Sequence, residues 1–176
     1  MSLLIFFIHQ EQLEHPKVLI VPTAAAQQNP SRAASNGIQY FSTLGARADA
    51  LMVLEQAQAS DNQLISAVDK ADLIYLTGGD PLHLLRTLNK SRLFSKICCA
   101  HKRGAVIVGS SAGAMVLGSW MQFRGWKRTL NFIQDTAIMC HHEPSQASKL
   151  SDESQEYARV GVLVLGIESK TSVIIS

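Results

Sequence analysis

The chain alternates short apolar runs with stretches in which apolar residues recur at helical spacing. The apolar runs are short and rich in Leu, Ile and Val, which is typical of buried strands. Strands are therefore predicted at residues 3–8, 17–22, 48–54, 73–76, 105–108, 136–140, 162–165 and 172–175. Helices are predicted at residues 62–68, 81–88, 93–101 and 112–119, and a further helix is predicted to start within residues 22–37 and to continue through residues 37–45.

This alternation predicts an α/β protein. Strands that are separated by helices favour a parallel or mostly parallel sheet with helices on both faces. No repeat, low-complexity tract or linker divides the sequence, so a single domain over residues 1–176 is expected. The polar, Ser-rich residues 145–155 are the best candidate for a mobile loop.

Composition narrows the function classes. Apolar residues make up 47% of the chain and charged residues 17%, and the formal net charge is only +2. We expect a globular protein without a nucleic-acid partner, because no basic excess is present. The run at 3–8 is too short to span a membrane and lacks the flanks of a signal peptide. Cys98, Cys99 and Cys140 cannot all pair within the chain, which favours reduced thiols and a cytoplasmic location. A homodimer is an expectation from base rate alone, because symmetric dimers are the commonest oligomers of soluble proteins.

The stretch from Gly109 to Gly113 reads Gly-Ser-Ser-Ala-Gly and lies between a predicted strand and a predicted helix. This is the context of a nucleophile elbow, in which a sharp turn lifts a serine hydroxyl, here that of Ser111, above the ends of the strands. The backbone N–H of Ala112 could then donate to an oxyanion. The competing interpretation is a turn of small residues without chemistry.

A second turn of small residues, Thr77-Gly78-Gly79-Asp80, also follows a strand and precedes a helix. Ligands of open α/β sheets bind beyond the carboxyl ends of the strands, so the two turns could face each other. Gly79 could supply a second oxyanion donor. Asp80 is interpreted as a helix cap and as a candidate substrate-binding residue.

A serine nucleophile needs a base, and His141 and His142 follow a predicted strand end. Neighbours on a strand point to opposite faces, so only one of the two can reach Ser111. The same alternation argues against a metal site at Cys140-His141-His142-Glu143, and neither a metal nor an organic cofactor is expected.

These motifs together resemble peptidase family S51, which includes dipeptidase E and the cyanophycinases. The resemblance rests on VLIVPTAA, ADLIYLTGGDPLHLLRTL, GAVIVGSSAGAMVL, TAIMCHHE and VLGIESKTSVII, in the family's order. It implies a three-layer αβα sandwich with a flavodoxin-like, mostly parallel sheet, related to class I glutamine amidotransferase domains.

The resemblance also implies a serine peptidase with Ser111 as nucleophile, His141 as base, and Gly79 and Ala112 at the oxyanion hole. The family's terminal acidic motif is altered here, with Glu168 at its Asp position and Ser169 at its Glu position. Glu168 is the expected triad acid, and Asp135 is the alternative. The family's Gly-rich turn after the first strand and its Arg-containing stretch after the histidine are not matched.

The expected substrate is a small peptide. Asp-Xaa dipeptides would call for a cation near the substrate carboxylate, for which Arg124 and Lys127 are candidates. Three alternatives stay open: a cyanophycinase-like peptidase, a catalytically degenerate binding or regulatory protein on the same fold, and an amidotransferase-like enzyme. The last would need a cysteine at the elbow, where this chain has Ser111.

Overall fold

The computed structural model describes residues 3–6, 14–140 and 161–175. Its strands are β1 (Leu3–Phe6), β2 (Lys17–Val21), β3 (Arg47–Ala50), β4 (Leu73–Leu76), β5 (Val106–Ser110), β6 (Trp120–Gln122), β7 (Trp126–Arg128), β8 (Thr136–Cys140), β9 (Leu163–Ile167) and β10 (Ser172–Ile175). Its α-helices are α1 (Pro30–Thr43), α2 (Pro81–Leu88), α3 (Arg92–Lys102) and α4 (Ala112–Met115). Short 3-10 helices cover Thr23–Ala25, Gln58–Ser60 and Leu64–Lys70.

The larger sheet has six strands in the order β10-β1-β5-β4-β2-β3. Strands β5, β4, β2 and β3 run parallel to one another, whereas β1 is antiparallel to β5. Val21 pairs with Leu76, and Leu76 pairs with Gly109, so β2, β4 and β5 end at one edge of the sheet. We call this the carboxyl edge, and it is where open α/β sheets bind ligands.

Helices cover both faces of this sheet, which confirms the predicted αβα arrangement. On one face, Val18, Ile20 and Tyr75 pack against Ile38 and Phe41 of α1. The other face packs against α2, α3 and the 3-10 helix Leu64–Lys70, and its fully buried residues include Ile65, Ile74, Leu84, Leu88, Ile97 and Ile107. Burial of apolar surface on both faces is the main source of stability in such a fold.

The helix starts follow from local capping. The Asn29 side chain accepts a hydrogen bond from the Arg32 N–H at the start of α1. The Ser91 hydroxyl accepts one from the Phe94 N–H at the start of α3. These side chains satisfy backbone N–H groups that the first turn of a helix leaves without partners. Within the described ranges no helix is long and apolar enough to cross a membrane.

A second, four-stranded sheet in the order β7-β6-β8-β9 was not predicted. Strands β6 and β7 form a hairpin over residues that carried no strand prediction, and β6 pairs in parallel with β8. Helix α4 lies against β8 and ends at Met115, not at residue 119 as predicted. It ends early because Gly118 packs on the Thr136 carbonyl and Ser119 N–H donates to that oxygen, which leads the chain into β6.

Other predicted boundaries shift by smaller amounts. Strand β3 ends at Ala50 and not at residue 54, although the chain beyond it still buries Leu51 and Val53. The helix predicted at 62–68 is the 3-10 helix Leu64–Lys70, preceded by Asp61, whose carboxylate accepts from the Gln63 N–H. The mobile loop predicted at 145–155 lies outside the described residues.

Candidate active site

Ser111 occupies the turn between β5 and α4 in a strained backbone conformation. Its φ is 49° and its ψ is −110°, a region that residues with a side chain rarely adopt. Ser110 ends β5 and Ala112 begins α4, so the turn consists of this one residue. This is the strained strand-to-helix turn of a nucleophile elbow, and it occurs at the serine that the sequence singled out.

The two glycines of the motif make this turn possible through close packing. A Cβ added to Gly109 would lie 2.6 Å from the backbone of Gly113 and Ala114. A Cβ on Gly113 would lie 2.8 Å from the Leu76 carbonyl carbon, at the end of β4. Real Cβ atoms do not approach backbone so closely, so only glycine fits at either position. The glycines therefore hold the elbow tightly against β5 and β4.

The Gly78-Gly79 turn lies beside the elbow. A Cβ on Gly78 would be 3.4 Å from the Cβ of Ser111, which is ordinary contact distance. Gly79 has a φ of 145° and packs on the backbone of the 3-10 turn after β2, where the Asp80 N–H donates to the Ala24 carbonyl at 2.8 Å. The structure thus brings together the two turns that the sequence predicted to face each other.

The Asp80 carboxylate caps α2. Its Oδ1 accepts from the N–H of Leu82 at 2.8 Å and of His83 at 3.2 Å. This confirms the predicted capping role and fixes the Gly-Gly turn at the helix start. The Oδ1 atom of Asp80 is therefore engaged by the first turn of α2.

Cys140, at the end of β8, contacts the elbow directly. Its Sγ lies 3.4 Å from the backbone carbonyl oxygen of Ser111. Burial raises the pKa of the Cys140 thiol to about 12, so the thiol stays protonated at neutral pH. A protonated thiol is a poor nucleophile, which argues against a cysteine-dependent amidotransferase. Sequence reasoning missed this contact because it depends on how the second sheet docks on α4.

The proposed base, His141, lies outside the described residues, as does His142. The described histidines are otherwise engaged. The His83 Nε2 lies 2.7 Å from the Leu54 carbonyl oxygen, and the His15 Nδ1 lies 3.0 Å from that of Gly45. His101 is at the end of α3, where its Nδ1 lies 3.3 Å from the Ala105 carbonyl oxygen, just before β5 begins. Each of these three contacts is made with a residue outside the elbow.

Strand register separates the two candidate acids. Cys140 pairs with Ile167 at the ends of the parallel strands β8 and β9, and Glu168 is the next residue after β9. Glu168 therefore lies at the same sheet end as the strand residue that contacts Ser111. Asp135 precedes β8 at its other end, which is about 16 Å away at 3.3 Å per residue. This geometry argues against Asp135.

Arg124 lies at the tip of the β6–β7 hairpin and is exposed. Strand β6 runs parallel to β8, with Met121 opposite Ile138, so the hairpin tip extends beyond the same end of the second sheet as Cys140. The guanidinium is 5.5 Å from the centre of the Phe123 ring. Arg124 therefore lies beyond the same end of the second sheet as Cys140, which contacts the elbow. Among the described residues, no cluster of His, Cys, Asp or Glu could hold a metal ion.

Comparison with known proteins identifies the family. The model of Peptidase family S51 matches residues 2–133. The chain belongs to peptidase family S51. Among curated proteins, it is 33% identical over 106 residues to a cyanophycinase from Geminocystis herdmanii, covering 59% of this chain and 38% of that protein. A cyanophycinase from Trichormus variabilis is 28% identical over 106 residues, which cover 59% of this chain and 35% of that protein. The alignments therefore span less than two fifths of these relatives.

Solved structures support the S51 fold. A peptidase from an acI-B1 Actinobacterium superposes with a TM-score of 0.72 at 24% identity, covering 95% of this chain and 80% of that one. A putative peptidase E protein from Listeria monocytogenes EGD-e superposes with a TM-score of 0.64 at 18% identity, covering 96% and 91%. At these identities the likeness shows the fold, and it confirms the flavodoxin-like, mostly parallel α/β class.

Proposed function

We propose that this S51 chain is a serine peptidase that cleaves small peptides through an acyl-enzyme on Ser111. The observation that carries the proposal is the Ser111 backbone, strained at φ 49° between two glycines that no other residue could replace. Residues with such strained backbone angles persist where the surrounding structure enforces the conformation, and they cluster at functional sites.

The chemistry requires a base, an acid that orients it, and oxyanion donors. In the proposed sequence, His141 takes the Ser111 Oγ proton while Oγ bonds to the scissile carbon. The N–H groups of Gly79 and Ala112 hold the oxyanion, and the C–N bond breaks as His141 returns the proton to the leaving amine. Water, deprotonated by the same histidine, then releases the acid product and restores Ser111.

The test of catalysis is turnover by Ser111→Ala. We expect loss of peptide hydrolysis with an unchanged circular dichroism spectrum. Ser110→Ala is the matched control, because Ser110 is buried and hydrogen-bonded to the Tyr75 side chain. It should keep turnover at temperatures where it stays folded. Full activity in Ser111→Ala would refute the assignment.

Glu168 is proposed to orient His141, since it follows the strand residue that pairs with Cys140. Glu168→Gln is expected to lower kcat by a factor of about 10² to 10⁴, which is the rate enhancement that a positioned general base contributes. Asp135→Asn, at the opposite end of β8, should leave kcat within about twofold of the wild type, given this separation. The reverse ranking would transfer the acid role to Asp135.

For the substrate, we propose dipeptides with an N-terminal Asp, whose carboxylate would meet Arg124. Arg124→Gln should raise KM for Asp-Xaa and leave KM for Asn-Xaa unchanged. Arg128→Gln is the control, because Arg128 pairs with Trp120 at the far end of the same hairpin and stacks over its ring at 4.8 Å. Equal effects of both variants on both substrates would exclude recognition by Arg124.

Cyanophycin hydrolysis is the second candidate, favoured by the cyanophycinases that this chain matches. Wild-type protein and Ser111→Ala should be offered cyanophycin beside the dipeptides. Release of product from cyanophycin but not from the dipeptides, if it depends on Ser111, would replace the dipeptidase proposal and keep the serine mechanism.

We also propose a cytoplasmic location and a homodimer, and both proposals come from the sequence.

A further inference from the structure

A cleft lies at the end of the larger sheet opposite the carboxyl edge. Its volume is about 430 Å³, and it is formed by the first residues of β2 and β3 together with the 3-10 helix Leu64–Lys70. Such a volume lies within the range of small-molecule sites. The cleft exists because two short 3-10 helices connect β3 to β4 where an α-helix would cover the edge strand β3.

The inner surface of the cleft is apolar. Leu19 contributes its side chain from β2, and Ala67 and Ala71 contribute from the 3-10 segment, whereas the side chains of Val18 and Ala48 pack on the opposite, α1 face of the sheet. Leu19 is buried at the base of the cleft, whereas Ala67 is exposed and forms part of one wall. This surface would accept an aliphatic or aromatic group.

Three cations surround the opening. Lys17 pairs directly with Arg47 on the adjacent parallel strand, and Lys70 lies on the facing 3-10 helix. Adjacent strands are about 4.8 Å apart, so the two strand cations repel each other when no anion is present. Within the described ranges, none of the three side chains makes an ion pair.

The cleft lining contains one carboxylate, that of Asp49, against three cations. Asp49 lines the cleft, but its Oδ1 accepts from the N–H of Ala50 at 2.7 Å. The Asp72 carboxylate accepts from the backbone N–H of Lys17 at 2.7 Å. Asp69 forms an ion pair with Lys96 on α3. The cleft therefore combines an apolar floor with an excess of positive charge.

We propose that this cleft binds a small amphipathic organic anion, with its apolar body on Leu19 and Ala67 and its acidic group among Lys17, Arg47 and Lys70. The site is separate from the elbow, since it lies where β2 and β3 begin and Ser111 lies where β5 ends. Bound anion would relieve the repulsion between Lys17 and Arg47.

Fluorescence titration with 8-anilinonaphthalene-1-sulfonate tests the proposal. Its neutral counterpart, N-phenyl-1-naphthylamine, has the same aromatic body without the sulfonate. We expect saturable binding of the sulfonate to the folded protein. The triple variant K17Q/R47Q/K70Q should weaken it by about tenfold or more, since three surface charge contacts of ordinary strength are lost together. Binding of the neutral probe should be unchanged in that variant.

Two further variants sharpen the result. Arg86→Gln removes an exposed cation on α2, outside the cleft, and should leave both affinities unchanged. Ala67→Trp places a large side chain in the cleft wall and should weaken both probes. Circular dichroism on each variant verifies folding, and Lys70→Gln alone serves if the triple variant does not fold. Equal binding of the sulfonate by wild type, the charge variants and Ala67→Trp would overturn the proposal.

Discussion

The contact between Gly79 and the turn after β2 gives a prediction whose size follows from the structure. Gly79→Ala places a Cβ 2.8 Å from the Ala25 nitrogen, and closer still to the Ala24 carbonyl, in a backbone with φ of 145°. A φ of this kind costs about 1–3 kcal/mol for a residue with a Cβ. Overpacking adds about 1–3 kcal/mol. The expected loss is therefore about 2–6 kcal/mol, a large part of a typical domain's stability.

Gly45→Ala is the matched control, because Gly45 also has a positive φ, of 86°, but a Cβ there meets nothing within 4 Å. It should lose only the conformational cost of about 1–2 kcal/mol. Urea unfolding followed by circular dichroism measures both variants, and the midpoint of Gly79→Ala should fall well below that of Gly45→Ala. Equal midpoints would refute the inference that the Gly-Gly turn is pressed against the turn after β2.

Further predictions concern the residues that hold the site together. The buried Thr23 hydroxyl donates to the Val53 carbonyl at 2.5 Å. Thr23→Val removes the hydroxyl and should lower the free energy of unfolding by about 1–3 kcal/mol, whereas Thr23→Ser keeps it and should lower this free energy by less. Urea unfolding of both variants and the wild type measures the difference. Asp80→Ala removes the α2 cap and should cost about 1 kcal/mol, measured by thermal unfolding against Asp80→Asn, which keeps an accepting oxygen. Burial raises the pKa of the Cys140 thiol from 9.0 to about 12, so the stability that the buried neutral thiol contributes is present below pH 9 and is lost as the pH rises toward 12. Cys140→Ala should therefore make the urea midpoint fall less steeply between pH 9 and pH 12. An equally steep fall in the variant and the wild type would contradict the burial of the thiol.

Much of the larger sheet could be predicted because its strands carry their own signals. Strands β2, β4 and β5 are short runs of Val, Ile and Leu that are buried on both faces, and each ends at a turn rich in small residues. The elbow at Ser111 was predicted from the same pattern, because a Gly-x-Ser-x-Gly sequence between a strand and a helix is typical of this turn. The carboxyl edge was therefore predictable from local sequence.

The second sheet could not be predicted, because its short strands β6 and β7 form only by pairing with each other and, for β6, with β8. Trp120–Gln122 and Trp126–Arg128 are strands of three residues each with no clear apolar alternation, and they form by pairing with each other and with β8. The antiparallel pairing of β1 with β5 is likewise non-local. For the same reason, the approach of Cys140 to Ser111 could not be derived from spacing along the chain.

Fluorophosphonate labelling followed by peptide mapping decides whether Ser111 is an activated nucleophile. The reagent should label wild-type protein on Ser111, and labelling should disappear in Ser111→Ala while Ser110→Ala stays labelled. Circular dichroism verifies that all three proteins are folded. Label on another residue, or none on folded wild-type protein that hydrolyses peptides, would contradict acyl-enzyme chemistry at this elbow.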